Sequence, residues 1–451
     1  MSDNIKDIKA TEYPNFFKEL GYSDKEAKEK LNKIFDTLFY GSEDERIYHP
    51  VGSDMGYIED TGNIDARTEG MSYGMMMCVQ LDKKEEFDRI WKWARTYMYL
   101  NEGRNKGFFC WSNSPSGTKN ADGAAPDGEE YFAMALLFAS HRWGDGEGIF
   151  NYGYEARRLL HDMIRPGDEI KKPEGKDFED NKDKALNGEC VDLRECDDLR
   201  ECVDLRECDD KKQDENRDKT GRGMFDRDNH LIRFICEVDF TDPSYHLPHF
   251  YELFALWADP CDREFYKTAA KESRSFLHKA CHPVSGLTAE YSYYDGKPFP
   301  YGQDIWGKHD WYYSDAYRTI MNIALDHIWF NADPWQVREG ELFLDYFVNA
   351  AGENNWDRIL DWDGTIREEK VLHPVAVIAT NAAAAALVLD DGGEGKDVCV
   401  MSCEMEDKYN SARFCLEKFW NTPLRTGNRR YYDNCLYLFS FMLLSGNYRI
   451  W

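Results

Sequence analysis

Residues 65–78 read Asp65-Ala66-Arg67-Thr68-Glu69-Gly70-Met71-Ser72-Tyr73-Gly74-Met75-Met76-Met77-Cys78, and the organisation of the chain turns on them. Thr68 suits a helix N-cap, and the Met and Cys run behind it is apolar enough for burial. Glu69 then falls in the first turn, at the edge of a buried helix. Two glycines and a serine keep that neighbourhood slim enough for another group to approach closely. Taken alone, Glu69 needs no role beyond complementing the helix dipole. The pattern recurs, however. Asp127 follows Pro126 and precedes an apolar run over 128–143, and Asp315 follows Ser314, a candidate N-cap, and precedes another over 316–330. Three acids at the N-terminal ends of three apolar helices would meet at one mouth of a helical barrel.

The rest of the chain supplies the helices for such a barrel. Residues 23–40 form an amphipathic helix: Ser23 and Glu26 match a capping box, Ala27, Leu31, Ile34, Phe35 and Leu38 give the apolar face, and Gly41 stops it. Similar patterns cover 84–99, 151–163, 246–258, 262–280, 313–330, 334–351, 375–389, 408–420 and 430–445. Strand-like alternation is scarce. The count is roughly a dozen helices in hairpin-like pairs, which fits an all-α toroid of inner helices ringed by outer ones. Between the helices run aromatic and Gly-rich loops. One of them holds Phe108, Phe109, Cys110 and Trp111, and a long aromatic loop in a compact fold suggests a binding surface.

Composition narrows the function. Hydrophobic residues make up 42% of the 451-residue chain and aromatics 15%, with 13 Trp and 27 Tyr. Sugars are common partners for such rings, because pyranose faces stack on Trp and Tyr. A net charge of −28 argues against nucleic acid and against an anionic membrane surface. The start, Met-Ser-Asp-Asn-Ile-Lys-Asp, has no apolar core of a signal peptide, and no apolar run reaches the ~18 residues of a membrane span. A cytoplasmic protein with reduced structural thiols is the expectation for its 13 Cys. No metal-ligand spacing of Cys and His appears, and no cofactor is expected.

Residues 168–222 are of a different kind: highly charged, with a period-six repeat, Glu189-Cys190-Val191-Asp192-Leu193-Arg194 and its near copies through Cys208. That period fits neither helix nor strand, so the segment reads as an acidic low-complexity insertion in an otherwise single domain, 1–451. Its four Cys in register allow a metal site, but a duplicated insert explains them as well.

The motifs can now be set together. Asp65–Gly74, Ala125-Pro126-Asp127-Gly128-Glu129 and Tyr313-Ser314-Asp315-Ala316-Tyr317-Arg318 resemble glycoside hydrolase family 8. So do Thr241–Pro248, Leu372-His373-Pro374-Val375 and the stretch Asn421–Tyr448. Within that family the chain is most similar to the members that release xylose from the reducing end of xylooligosaccharides. The resemblance covers nearly all of the chain except 168–222. It implies an (α/α)6 barrel and inverting hydrolysis of β-1,4-xylooligosaccharides. It further implies Glu69 as general acid, Asp315 as general base, Asp127 as an assisting acid and Arg318 as a contact to the sugar in the cleaving subsite. It implies His373 as a contact to the reducing-end hydroxyl, on a Leu-His-Pro loop that walls off the cleft and turns an endo-cleft into an exo-site. Cys281-His282-Pro283 is a similar string with no such role, so the tripeptide alone carries little.

The residue types suit that chemistry. Inversion needs a protonated carboxyl at the leaving oxygen and an ionised one holding water on the opposite face, ~6.5–9.5 Å apart. A helix N-terminus favours an ionised carboxylate, which suits Asp315 and opposes Glu69. Burial against Met71 and Met75, or a nearby Asp127 carboxylate, has to raise Glu69. Loss of Asp127 is then expected to move the acidic limb of the pH–rate profile. Trp111 is either a core residue or a stacking platform, and Trp306, Trp311 and Tyr313 are further ring candidates. The rival functions are an endo-xylanase of the same family, a polysaccharide lyase or epimerase on an α/α toroid, and a non-catalytic carbohydrate-binding protein. The Glu/Asp/Asp set disfavours the last two classes.

Overall fold

The computed structural model describes residues 12–168, 221–300, 309–390 and 403–451. The repeat within 168–222 and the ring candidate Trp306 lie outside the described residues.

The described residues form twelve α-helices: α1 (Asp24–Tyr40), α2 (Thr68–Gln80), α3 (Lys84–Trp93), α4 (Pro126–Trp143), α5 (Tyr152–Ile164), α6 (Pro248–Trp257), α7 (Arg263–Ala280), α8 (Tyr317–Phe330), α9 (Trp335–Asp345), α10 (Pro374–Leu389), α11 (Cys403–Asn421) and α12 (Arg430–Leu444). They alternate between two kinds. The odd-numbered helices carry a stripe. α1 buries Ala27, Leu31, Ile34, Phe35, Leu38 and Phe39 and turns its charges outward, and its Ser23–Glu26 capping box is formed. One apolar stripe suits a helix with a single packed face. The even-numbered helices are buried nearly all round. In α2 every residue except Glu69 is buried, in α12 every residue is, and α10 is buried without a break from Ala379 to Leu389. A helix apolar on all sides has to sit inside. The even-numbered helices touch in a closed ring, α2 on α4, α4 on α6, α6 on α8, α8 on α10, α10 on α12 and α12 back on α2. The fold is an all-α (α/α)6 barrel. Each outer helix returns the chain to the starting side, so the inner helices run in one direction and begin at one mouth.

The helix starts at that mouth differ from the sequence reading in two places. Thr68 is the first residue of α2 and not its cap; Arg67 holds the cap position without a side-chain bond. The reason is the neighbouring loop, whose Trp111 carbonyl accepts from the Thr68 amide at 3.0 Å. Ser314 does not cap α8 either. It opens a 3-10 turn, Ser314–Ala316, at a left-handed φ of +41°. Its carbonyl accepts from the Tyr432 hydroxyl at 2.9 Å, which holds the turn in place. The segments over 84–99 and 334–351 stay helical but end in π-helical turns, Ala94–Met98 and Tyr346–Ala351.

Two glycines decide how closely the inner helices approach. A Cβ on Gly128 would stand 2.4 Å from Thr68 Cβ, so only glycine lets α4 lie against the start of α2. A Cβ on Gly70 would meet the Tyr431 ring at 2.8 Å, so α12 gains the same intimacy with α2. Strands among the described residues are confined to three small antiparallel sheets. One of them pairs Ala66–Arg67 with Ser112–Asn113 and ties the aromatic loop to the start of α2.

Candidate active site

Arg318, on the first turn of α8, is the hub of the mouth. Its side chain is 3% exposed, and a buried guanidinium needs anions around it. Nη1 donates to Glu69 Oε2 at 2.7 Å, to Asp127 Oδ2 at 3.1 Å and to the Tyr73 hydroxyl at 3.1 Å. Nη2 lies 3.0 Å from Asp315 Oδ1 and 3.7 Å from Asp242 Oδ2. Nε donates to Ser244 Oγ at 3.2 Å. Glu69, Asp127, Asp315 and Arg318, named from sequence, are thus brought together from α2, α4, the turn before α8 and α8 itself.

One guanidinium cannot neutralise four carboxylates, so the cluster favours retained protons. Burial is the largest influence on Glu69 and pushes it up to about 7. Arg318 pulls it down, Asp127 and Asp315 push it up, and the Tyr431 hydroxyl, donating to Oε1 at 2.6 Å, pulls it down again. Burial likewise raises Asp127 and, well above its ordinary range, Asp242. A neutral Glu69 has to donate its proton to something. Arg318 can only donate, whereas a phenol can reverse, so Tyr431 is the partner that accommodates both states of Glu69. Asp315 is the most open of the four, its side chain 24% exposed against 14% for Glu69, 10% for Asp127 and none for Asp242. Water reaches Asp315 most readily.

Tyr73, Asp242, Ser244 and Tyr431 are missing from the residues singled out in the sequence. Tyr73 had a signal, since it is four residues after Glu69 and shares its helix face. Asp242 had one in its position before Pro243, where its Oδ1 accepts from the Ser244 amide at 2.7 Å. Its other oxygen has no hydrogen-bond partner and is turned toward Arg318. Tyr431 opens an inner helix, as the acids do.

The remaining candidates stand around this centre. His373 occupies the cap position of α10, its ring edge-on to Tyr432 at 5.0 Å and its Nδ1 3.4 Å from Asp433 Oδ2. Trp111 is half-buried, with the Arg67 guanidinium 5.4 Å from its ring centre. Phe108 and Phe109 of the same loop are wholly buried core residues. Tyr313 is half-buried at the cap position of the Asp315 turn. Trp311 is buried under Arg367, which lies 4.0 Å from its ring centre. Among the described residues, His161, Cys261 and Asp262 are close enough together to bind a metal, and none of them is among the partners of Arg318. There His161 Nδ1 and Asp262 Oδ2 already bind each other at 2.7 Å, and Arg165, 3.5 Å from the other Asp262 oxygen, adds a charge that repels a cation.

Similarity to known proteins runs along nearly the whole chain. Residues 51–187 match the model of glycosyl hydrolases family 8. The chain is 46% identical over 441 residues to the reducing end xylose-releasing exo-oligoxylanase of Halalkalibacterium halodurans, covering 98% of this chain and 95% of the relative. It is 44% identical over 439 residues to the corresponding enzyme of Paenibacillus barcinonensis, covering 97% of each. The solved structure of that enzyme complexed with xylose superposes with a TM-score of 0.79 over 97% of both chains. With an (α/α)6 barrel, acids gathered at one mouth and relatives of this identity along nearly its whole length, the chain belongs to glycosyl hydrolases family 8.

Proposed function

We propose that the protein hydrolyses β-1,4-xylooligosaccharides with inversion and releases xylose from the reducing end. Glu69 is the general acid, Asp315 the general base and Asp127 the assisting acid. Arg318, His373, Trp111 and Tyr313 contact the sugar. The catalytic domain spans 1–451, with 168–222 as an insertion in it. The observation that carries the reading is the abutment of the Leu-His-Pro loop on the acid cluster: Tyr432 touches the His373 ring and, through its hydroxyl, the turn that bears Asp315.

The chemistry follows from the geometry. Glu69 and Asp315 bind different nitrogens of one guanidinium, so their oxygens lie within roughly 8 Å, a bound that overlaps the separation of inverting enzymes. Glu69 delivers its proton to the oxygen of the leaving xylose. Asp315, the acid most open to water, removes a proton from the water that attacks the anomeric carbon from the other face. Arg318 offsets the negative charge that gathers as Glu69 ionises.

The test is product analysis from reduced and unreduced xylotriose, xylotetraose and xylohexaose, with anomers read by proton NMR at early times. Xylose and a chain one unit shorter, with an inverted anomer and with reduced substrates refused, is the expected result. Internal cleavage of long chains would make the protein an endo-xylanase, and no cleavage would refute a hydrolase.

A further inference from the structure

The first turn of α12 does more than support Glu69. Its residues Tyr431, Tyr432, Asp433 and Asn434 each grip a different part of the mouth. Asp433 is completely buried. Its Oδ1 accepts from the Ala376 amide at 2.8 Å, in the first turn of α10 just after the Leu-His-Pro segment. Its Oδ2 binds the Arg425 guanidinium and lies 3.4 Å from His373 Nδ1. The same Arg425 nitrogen donates to the Leu372 carbonyl at 2.5 Å. Arg425 is itself held by two reciprocal bonds of 2.9 Å with the Asn434 side chain: its backbone amide donates to Asn434 Oδ1 and its carbonyl accepts from Asn434 Nδ2.

From these contacts we infer that Asp433 and Arg425 are positioning residues for cleavage-site choice, a latch that fixes Leu372 and His373 as the wall of the reducing-end subsite. The inference rests on the functional reading given above and deepens it. The wall segment has few other anchors: Leu372 is 42% exposed and contributes little packing, His373 meets the Tyr432 ring edge-on, and the Val371 amide donates to the Asp357 carbonyl at 2.9 Å. The remaining polar ties of Leu372–Ala376 to the rest of the mouth are one carbonyl bond, one helix-start amide and the carboxylate that faces the His373 ring, and all three converge on Asp433 directly or through Arg425. Both latch bonds to the guanidinium are charge-assisted, and Arg425, 26% exposed, can swing to water once its carboxylate is lost.

Asp433→Asn keeps the shape and the acceptor for the Ala376 amide while removing the charge. Arg425→Gln removes it from the other side. In both variants the ratio of internal to reducing-end products from xylohexaose is expected to rise at least about tenfold, as a charge-assisted bond is worth that much. Reduced xylotetraose should become a substrate, and Arg425→Lys should recover part of the wild-type pattern. Thermal melts accompany each variant, and if one fails to fold the other carries the test. The latch is overturned if folded Asp433→Asn and Arg425→Gln both keep the wild-type product ratio while His373→Ala loses it. Internal cutting by the wild type, or its acceptance of reduced chains, would instead overturn the functional reading and the latch with it.

Discussion

Replacing Asp127 by Asn tests the proton bookkeeping of the site most directly. Asp127 Oδ2 and Glu69 Oε2 both bind Arg318 Nη1, at 3.1 and 2.7 Å, so the two oxygens are at most about 6 Å apart. At an effective dielectric of about 20, two charges at that distance repel by about 3 kcal/mol, or about two pH units. A shorter separation strengthens that repulsion, while burial, which raises Asp127 and so disfavours its charge, weakens it. Asn preserves the size of the group and leaves an oxygen for Arg318. A general acid acts while protonated, so on the proposed role ionisation of Glu69 closes the alkaline limb of the pH–rate profile and not the acidic limb expected from sequence. Without the Asp127 charge that limb moves to lower pH, by between one and two units.

The assay is the initial rate of xylose release from xylotriose across pH 4 to 9, normalised to each enzyme's own maximum so that a lower turnover does not hide the shift. Tyr431→Phe supplies the opposite sign. It removes the donor at 2.6 Å that stabilises ionised Glu69, and the limb should move to higher pH by about one unit or more. An alkaline limb that stays in place in both variants, or that moves the same way in both, would refute Glu69 as the group that sets it.

Glu69→Gln and Asp315→Asn should each cost about 10²–10⁴-fold in kcat on xylotriose, the range of general acid–base assistance; a loss below tenfold in either would remove it from its role. Folding carries its own signature of Glu69, which is raised from 4.5 to about 7 in the native state. The native state binds the proton more tightly there, so this contribution to stability is complete below pH 4.5 and is lost as pH rises through 7. Urea midpoints of Glu69→Gln should therefore fall less steeply over that window than those of the wild type. Gly128→Ala should lower stability by about 1–3 kcal/mol, seen as a lower Tm, because its Cβ would run into Thr68 at 2.4 Å. Trp111→Ala should raise KM for xylohexaose about tenfold if its ring stacks on sugar, and an unchanged KM would leave it only the role of packing beside Arg67.

The barrel was largely legible because two signals coincide in it. Outer helices such as α1 show a stripe with a capping box, and inner helices such as α2 and α10 are apolar without a stripe, so periodicity alone separates the two layers. The acids were legible because each sits at an inner helix start. The hidden part is pairwise. Nothing local ties Arg318 to Asp242, 76 positions earlier in the chain, or His373 to Asp433, 60 positions later, and such partners meet only once the ring closes. Helix ends were misread for the same reason. Thr68 and Ser314 look like caps, but a carbonyl from the Trp111 loop and a hydroxyl from Tyr432 have already claimed the backbone around them.

The ring also resolves the conflict between the helix dipole and an acid that has to stay protonated. Inner helix N-termini converging on one mouth favour anions there, and Glu69 stands in the first turn of one of them. A dipole of that kind is worth about 0.3–1 kcal/mol at an exposed site. Burial and crowding act on a larger scale. Glu69, Asp127, Asp242 and Asp315 share the single Arg318, and full ionisation would leave three uncompensated charges in a region largely closed to water. Asp127 and Asp242 are more closed to water than Glu69, so burial alone does not single Glu69 out; on the proposed roles it is set apart by Tyr431, which can accept a bond from its proton, while the most exposed carboxylate, Asp315, is left to work on water. On the proposed roles, a fold that buries several acids around one arginine, gives one of them a phenol partner and exposes another divides the labour of acid and base with the same carboxyl chemistry on both sides.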